Sequence, residues 1–139
     1  MTPTDKAAGY DLKDIVPFCM MDSAGFQTIG SGGSHLLIFL AMGCDAHTVS
    51  PACCFPKQYC EIYDLWKTGK LDQARQKAFG LSRVIKALPH PQNTEFSAEE
   101  KIVLEILGIC KRYVYPPFIA CTDEEKEQAR RALLDGGLL

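Results

Sequence analysis

Between residues 26 and 50 the chain fits a strand, a glycine turn, a helix and a second strand into about twenty-five residues, and few architectures accept that order. An apolar run at residues 26–29 ends in Gly30-Ser31-Gly32-Gly33. A second apolar run, at 36–42, has the length of a short helix and stops at Gly43. Another strand candidate follows at 46–50 and breaks at Pro51. Strand, helix, strand at this spacing predicts a βαβ unit, and hence a parallel sheet. Parallel β/α sheets bind their ligands at the carboxyl ends of the strands. Here those ends are residues 30–33 and 50–54. Gly32 and Gly33 permit a sharp turn, and Ser34 is placed to cap the helix. That helix is apolar nearly all round, which predicts packing on both of its sides.

Two parallel strands make a poor sheet by themselves, because faces and edges both need cover. The order of elements therefore reads as the end of something larger. Beyond Pro56 the pattern turns helical. Tyr59, Ile62, Tyr63 and Trp66 share one face of a helix that stops at Gly69. Leu71, Ala74, Ala78, Leu81, Ile85 and Leu88 alternate threes and fours, a seam for packing on another helix, which Pro89 and Pro91 end. Ser97-Ala98-Glu99-Glu100 is a capping box opening a helix through Ile102, Ile106 and Ile109. Tyr115-Pro116-Pro117 forces an extended link. Thr122-Asp123-Glu124-Glu125 is a second capping box, and its helix runs to Gly136. Ahead of the βαβ unit, Leu12, Ile15, Val16 and Cys19 keep helical spacing interrupted by Pro17, predicting one short helix with a break.

Composition narrows the function classes. At 139 residues the chain is one domain by size, and 47% hydrophobic with 23% charged residues marks it as globular. A net charge of −2 supplies no basic field, so nucleic acid is not an expected partner. The run at 36–42 is far short of the roughly twenty residues a bilayer requires, so no membrane partner is expected. The first residues lack the basic start and apolar core of a secretory signal. Seven cysteines, an odd number, read as reduced thiols in a cytoplasmic protein.

Several motifs in order carry a resemblance: the Gly30-Ser31-Gly32-Gly33-Ser34 turn, Met42-Gly43-Cys44-Asp45-Ala46, Ser50-Pro51-Ala52-Cys53-Cys54-Phe55-Pro56, Gly69-Lys70-Leu71-Asp72-Gln73-Ala74, Tyr115-Pro116-Pro117-Phe118 and the closing Leu134-Asp135-Gly136-Gly137-Leu138-Leu139. Together they make residues 26–139 resemble the C-terminal half of the dihydrodipicolinate synthase and N-acetylneuraminate lyase family, class I aldolases built on a (β/α)8 barrel. The fold this implies is α/β: a partial TIM barrel, holding the last two or three strands, followed by a C-terminal helical extension. Residues 1–56 would be the C-terminal part of the barrel, and 57–139 the final barrel helix and the extension. The family condenses or cleaves pyruvate-type oxo acids through a Schiff base on a lysine, with a proton-relaying tyrosine and a threonine-rich turn on earlier strands that have no counterpart here. No cofactor is implied.

Counting back from the glycine turn by the family's usual interval reaches Lys6, which makes it the candidate Schiff-base lysine. Its departures are Thr2-Pro3-Thr4-Asp5 where an apolar strand belongs, and Gly9 one residue too close. The alternative is a solvated terminal lysine. Gly30, Ser31, Gly32 and Gly33 are the candidate substrate-binding turn, able to present N–H groups to a carboxylate. The alternative is a turn needed only for steric reasons. Thr48 matches a family position whose carbonyl faces substrate, with a side chain expected to pack inside the barrel. A further departure is Cys53, where many members carry asparagine or another small polar residue.

Cys53, Cys54 and Cys60 lack zinc-ligand spacing and read as buried thiols, and Cys19, Cys44, Cys110 and Cys121 as small apolar residues, so no metal is expected. His35, His47 and His90 each stand alone, none a convincing general base. Glu99-Glu100-Lys101 and Asp123-Glu124-Glu125-Lys126 read as solvated first turns. The sequence thus predicts a truncated aldolase-family chain, inactive by itself and otherwise taking a small oxo-acid or aldehyde substrate. The alternatives are a non-catalytic assembly protein, joining further copies or a full-length homologue, and an independent small-ligand module built on the glycine turn.

Overall fold

The computed structural model describes residues 16, 17, 19, 20, 27–31, 35–90 and 98–139. Lys6, Gly32, Gly33 and Ser34 lie outside these residues, as do Phe26 and Ser97. Strands β1 (Ile29–Ser31) and β2 (Ala46–Thr48) form a two-stranded parallel sheet, with helix α1 (Leu36–Ala41) as the crossover. The register pairs Ile29 with Ala46, Gly30 with His47 and Ser31 with Thr48. The sequence assigns Gly30 and Ser31 to the turn, but the structure keeps them in the strand. Pairing with His47 and Thr48 gives their backbone a ladder that a turn would forgo. Just before β2, the Asp45 N–H donates to the Thr28 carbonyl (2.9 Å) and the Thr28 N–H to Asp45 Oδ2 (2.8 Å), which joins the entries of both strands.

Phe39 of α1 is buried against the sheet, Leu36 and Leu40 are buried against the helices, and Ile38 is 43% exposed. The expected packing on both sides is present, with the sheet on one side of α1 and the helices that follow β2 on the other. The cap position of α1 is His35, without a side-chain capping bond, one residue later than the serine expected there. Gly43 closes the helix in the left-handed region at φ 96°, letting the Cys44 N–H reach back to the Phe39 carbonyl at 3.0 Å.

After β2, Pro51 sits in a single tight turn, Ser50–Cys53, which delivers the chain to α2 (Pro56–Lys67). Gly69, at φ 75°, turns the chain into α3 (Leu71–Ala87), packed on α2 as a helical hairpin. Along α3 the inner residues are Ala74, Leu81 and Val84, whereas Leu71, expected in the seam, is 51% exposed at the helix start. Helix α4 (Ala98–Ile106) ends before Ile109, because Gly108 takes up a left-handed conformation (φ 76°) and redirects the chain. Ile109 accordingly points to solvent at 67% exposure rather than into the core. Residues 111–122 form the irregular link, and α5 (Asp123–Asp135) comes next. The Thr122 hydroxyl accepts from the Glu125 N–H, and Glu125 Oε2 from the Thr122 N–H, completing the expected capping box.

The deep core lies among the helices. Ile62, Ile102, Val103 and Leu133 are its largest fully buried side chains, in a cluster that reaches Leu36 and Leu40 of α1 and Phe55 ahead of α2. The link is pinned electrostatically: Lys126 Nζ meets Glu105 Oε1 at 2.9 Å, while Arg112 donates its N–H to Glu105 Oε2 and its guanidinium to Asp123 (2.6 Å). No helix among the described residues is long and apolar enough to cross a membrane.

Candidate functional site

Register decides what the carboxyl end of the sheet presents. Ser31 and Thr48, taken separately from the sequence, are ladder partners side by side at the ends of β1 and β2. Side chains alternate across a strand. Phe39 of α1 stacks on His47 (ring centroids 4.8 Å apart) and rests on Gly30, so Gly30 and His47 face the helix layer. Ile29, Ser31, Ala46 and Thr48 therefore face the opposite side. Ile29, Ser31 and Ala46 are only half-buried and Thr48 is exposed. This second face is where the interior of a closed barrel would lie.

Gly30 carries a steric demand: a Cβ there would fall 2.5 Å from Phe39 Cδ1. Its turn partners Gly32 and Gly33 lie outside the described residues, as does Lys6, so only Gly30, Ser31 and Thr48 of the candidate set have a described position.

A carboxyl that the sequence places in solvent lies inside. Glu100, on the first turn of α4, is 9% exposed, and its Oε2 has no hydrogen-bond partner. Burial raises its pKa above the ordinary carboxyl range; the Ser50 hydroxyl, donating to it, pulls the other way, and the charge of Glu99 pushes further up. Ser50 opens the turn after β2, so this carboxyl lies just behind the carboxyl end of the arc. Nothing in the sequence marks it, because the helix start and the turn that bury it are about fifty residues apart. His90 likewise is not alone: its Nδ1 lies 2.5 Å from Glu99 Oε1.

The thiols differ in exposure, and Cys19 and Cys110 are half-buried. Cys44, Cys54 and Cys121 are buried, while Cys53 and Cys60 are exposed, against the expectation that the Cys53, Cys54 and Cys60 group is buried. Cys54 Sγ donates to the Glu100 carbonyl and Cys121 Sγ to the Ala98 carbonyl, each at 3.5 Å, at the start of α4. Burial pushes the Cys54 thiol up and that of Cys121 up to about 11, so neither is an activated nucleophile. Among the described residues no cluster of His, Cys, Asp or Glu is arranged to hold a metal.

Beside β2 runs an open apolar groove of about 310 Å³, walled by Ala46, Val49 and Ala52 on one side and Tyr59 and Tyr63 of α2 on the other. Tyr63 spans its end, its hydroxyl donating to the Asp45 carbonyl at 3.0 Å. Burial pushes the Tyr59 phenol up to about 12.

The architecture is thus an arc of parallel β/α structure with a helical body behind it. Neither a protein-family model nor a curated protein matches the sequence. Solved structures do match in fold. Dihydrodipicolinate synthase from Bacteroides thetaiotaomicron superposes with a TM-score of 0.80 at 20% identity, over 92% of this chain and 44% of that one. N-acetylneuraminate lyase from Mycoplasma synoviae gives 0.76 at 17% identity, over 94% and 43%. A catalytic lysine mutant of the Ruminococcus gnavus sialic acid aldolase gives 0.79 at 17% identity, over 94% and 44%. The chain spans less than half the length of each. The fold is therefore that of part of a dihydrodipicolinate synthase-type barrel, and the coverage agrees with the C-terminal half that the motifs resemble.

Proposed function

We propose that this chain supplies the C-terminal arc and helical extension of a Schiff-base oxo-acid aldolase of the dihydrodipicolinate synthase type, and that these 139 residues alone have little or no aldolase activity. The observation that supports this is the open second face of β1 and β2, with Ser31 and Thr48 adjacent at its carboxyl end. In the proposed reaction a lysine amine adds to the oxo-acid carbonyl and expels water. The resulting iminium draws electrons from the neighbouring C–C or C–H bond, so that bonds form or break by way of an enamine. Such an amine must be held neutral in an enclosed, desolvated pocket. An arc of two three-residue strands does not enclose one. In the closed barrel, Gly30 to Gly33 and Thr48 would border the substrate, a small oxo acid or its aldehyde partner. The sialic acid aldolase variant is one altered at a catalytic lysine; the corresponding amine in this chain would be Lys6. The setting is the cytoplasm, where permanent structural disulfides are rare. The test is incubation with pyruvate and borohydride, with mass spectrometry of the product: no reduced adduct is expected. A stable adduct mapped to Lys6 overturns the proposal.

A second reading, an assembly protein, is favoured by the apolar groove beside β2 and by the single described pairing that each strand makes. Size-exclusion chromatography with light scattering distinguishes it. Self-association, or co-elution with a full-length homologue, supports assembly, whereas a folded monomer indifferent to the homologue rules it out.

A further inference from the structure

We infer that Cys19 and Cys44 form an oxidisable dithiol, which closes into an intramolecular disulfide fastening the segment ahead of β1 to the end of α1. Their Sγ atoms lie 3.6 Å apart although the residues are 25 apart in the chain. A bonded pair needs about 2.05 Å, so closure asks for a displacement of roughly 1.5 Å. Both partners are already positioned. Cys44 is 4% exposed in a small cluster with Phe39, and half-buried Cys19 packs against that cluster. The left-handed turn at Gly43 brings the chain so close to Cys19 that a Cβ on the glycine would lie 3.8 Å from the Cys19 Cβ.

The other close thiol pair is built differently. Cys53 and Cys54 have Sγ atoms 3.7 Å apart but are adjacent in sequence. Across a trans peptide their α-carbons are about 3.8 Å apart, below the 4.4–6.8 Å that disulfides usually span, so a bond between them is strained. Cys19 and Cys44 have no such covalent limit.

Exposure sets the order of events with a low-molecular-weight disulfide such as oxidised glutathione. Burial pushes the Cys44 thiol up to about 12, reinforced by the neighbouring Cys19 sulfur, so Cys44 is the resolving and not the attacking thiol. The Cys19 thiolate attacks one glutathione sulfur, the glutathione S–S bond breaks, and one glutathione leaves as thiolate. Cys44 then loses its proton to water and attacks Cys19 Sγ, expelling the second glutathione. Two protein thiols are oxidised, and one glutathione disulfide is reduced to two thiols.

The experiment treats the full chain with oxidised glutathione, blocks the remaining thiols by alkylation and maps peptides by mass spectrometry. The expected result is loss of alkylation at both Cys19 and Cys44 and recovery of one cross-linked peptide containing them, restored by a reducing agent. Exposed Cys53 and Cys60 serve as the internal standard, carrying glutathione adducts under the same conditions. In Cys44→Ser, Cys19 should stop at the mixed disulfide. Persistent alkylation of Cys19 and Cys44 while Cys53 and Cys60 are modified, or a cross-link from Cys19 to any other cysteine, overturns the inference.

Discussion

The Phe39 ring rests directly on Gly30, so that a Cβ added to the glycine would meet ring carbons Cδ1 and Cγ at 2.5 and 2.6 Å. That contact seats α1 on the strand pair and lets the same ring stack on His47. Gly30→Ala must push Phe39 off its rotamer or move the strand, and overpacking of this kind costs about 1–3 kcal/mol. Urea denaturation monitored by circular dichroism measures it. An alanine variant as stable as the parent would mean that the glycine is there for a ligand and not for the ring.

The helical body should respond more strongly to loss of volume. Leu133 is fully buried in the cluster shared by α2, α3, α4 and α5. Leu133→Ala removes its transfer free energy and leaves a cavity, for a loss of about 2–5 kcal/mol. The same unfolding measurement reports it, and a loss below that of Gly30→Ala would contradict a core centred on the helices.

Glu100 makes stability depend on pH in a definite direction. Its folded pKa is raised, chiefly by burial, so the native state holds the proton more tightly than the unfolded chain. Its contribution is fully present below the unfolded carboxyl pKa and is lost as pH rises through the raised folded value. Thermal midpoints taken across the mildly acidic range should therefore carry a falling component with rising pH. Glu100→Gln, neutral throughout, should remove that component and raise the midpoint at neutral pH. A variant whose pH profile parallels the parent's rules this out.

Thr122→Ala deletes the acceptor for the Glu125 N–H at the start of α5. Loss of a capping side chain costs about 1 kcal/mol. Thr122→Asp, which restores an acceptor and favours the helix dipole, should recover most of it. Equal melting of all three proteins would show that the cap contributes nothing.

Much of the fold is legible in the sequence because its punctuation is local. Gly43, Gly69 and the Thr122 capping box act within one turn of their own positions, and each ends or starts a helix where expected. The misplacements have one tertiary and one local cause. Glu99-Glu100-Lys101 has the pattern of a solvated first turn, and only the approach of Ser50–Cys53 buries Glu100. Ile109 keeps the helical spacing of Ile102 and Ile106, yet Gly108 diverts the chain first. Of the candidate site, Ser31 and Thr48 could each be named, but their adjacency comes from a parallel register that no short-range signal specifies. The Cys19–Cys44 contact is hidden for the same reason, since thiols far apart in sequence give no sign of meeting.

The two strands hold three residues each and are backed by helices on one flank, while the deepest burial lies at Ile62, Ile102 and Leu133. Backbone amides along Ile29–Ser31 and Ala46–Thr48 should thus trade their hydrogens with heavy water through cheap local openings, long before those of the helical interior. The arc can loosen while the body behind it stays assembled. Any strand arriving alongside would meet a scaffold already set, and would have only this narrow margin to order.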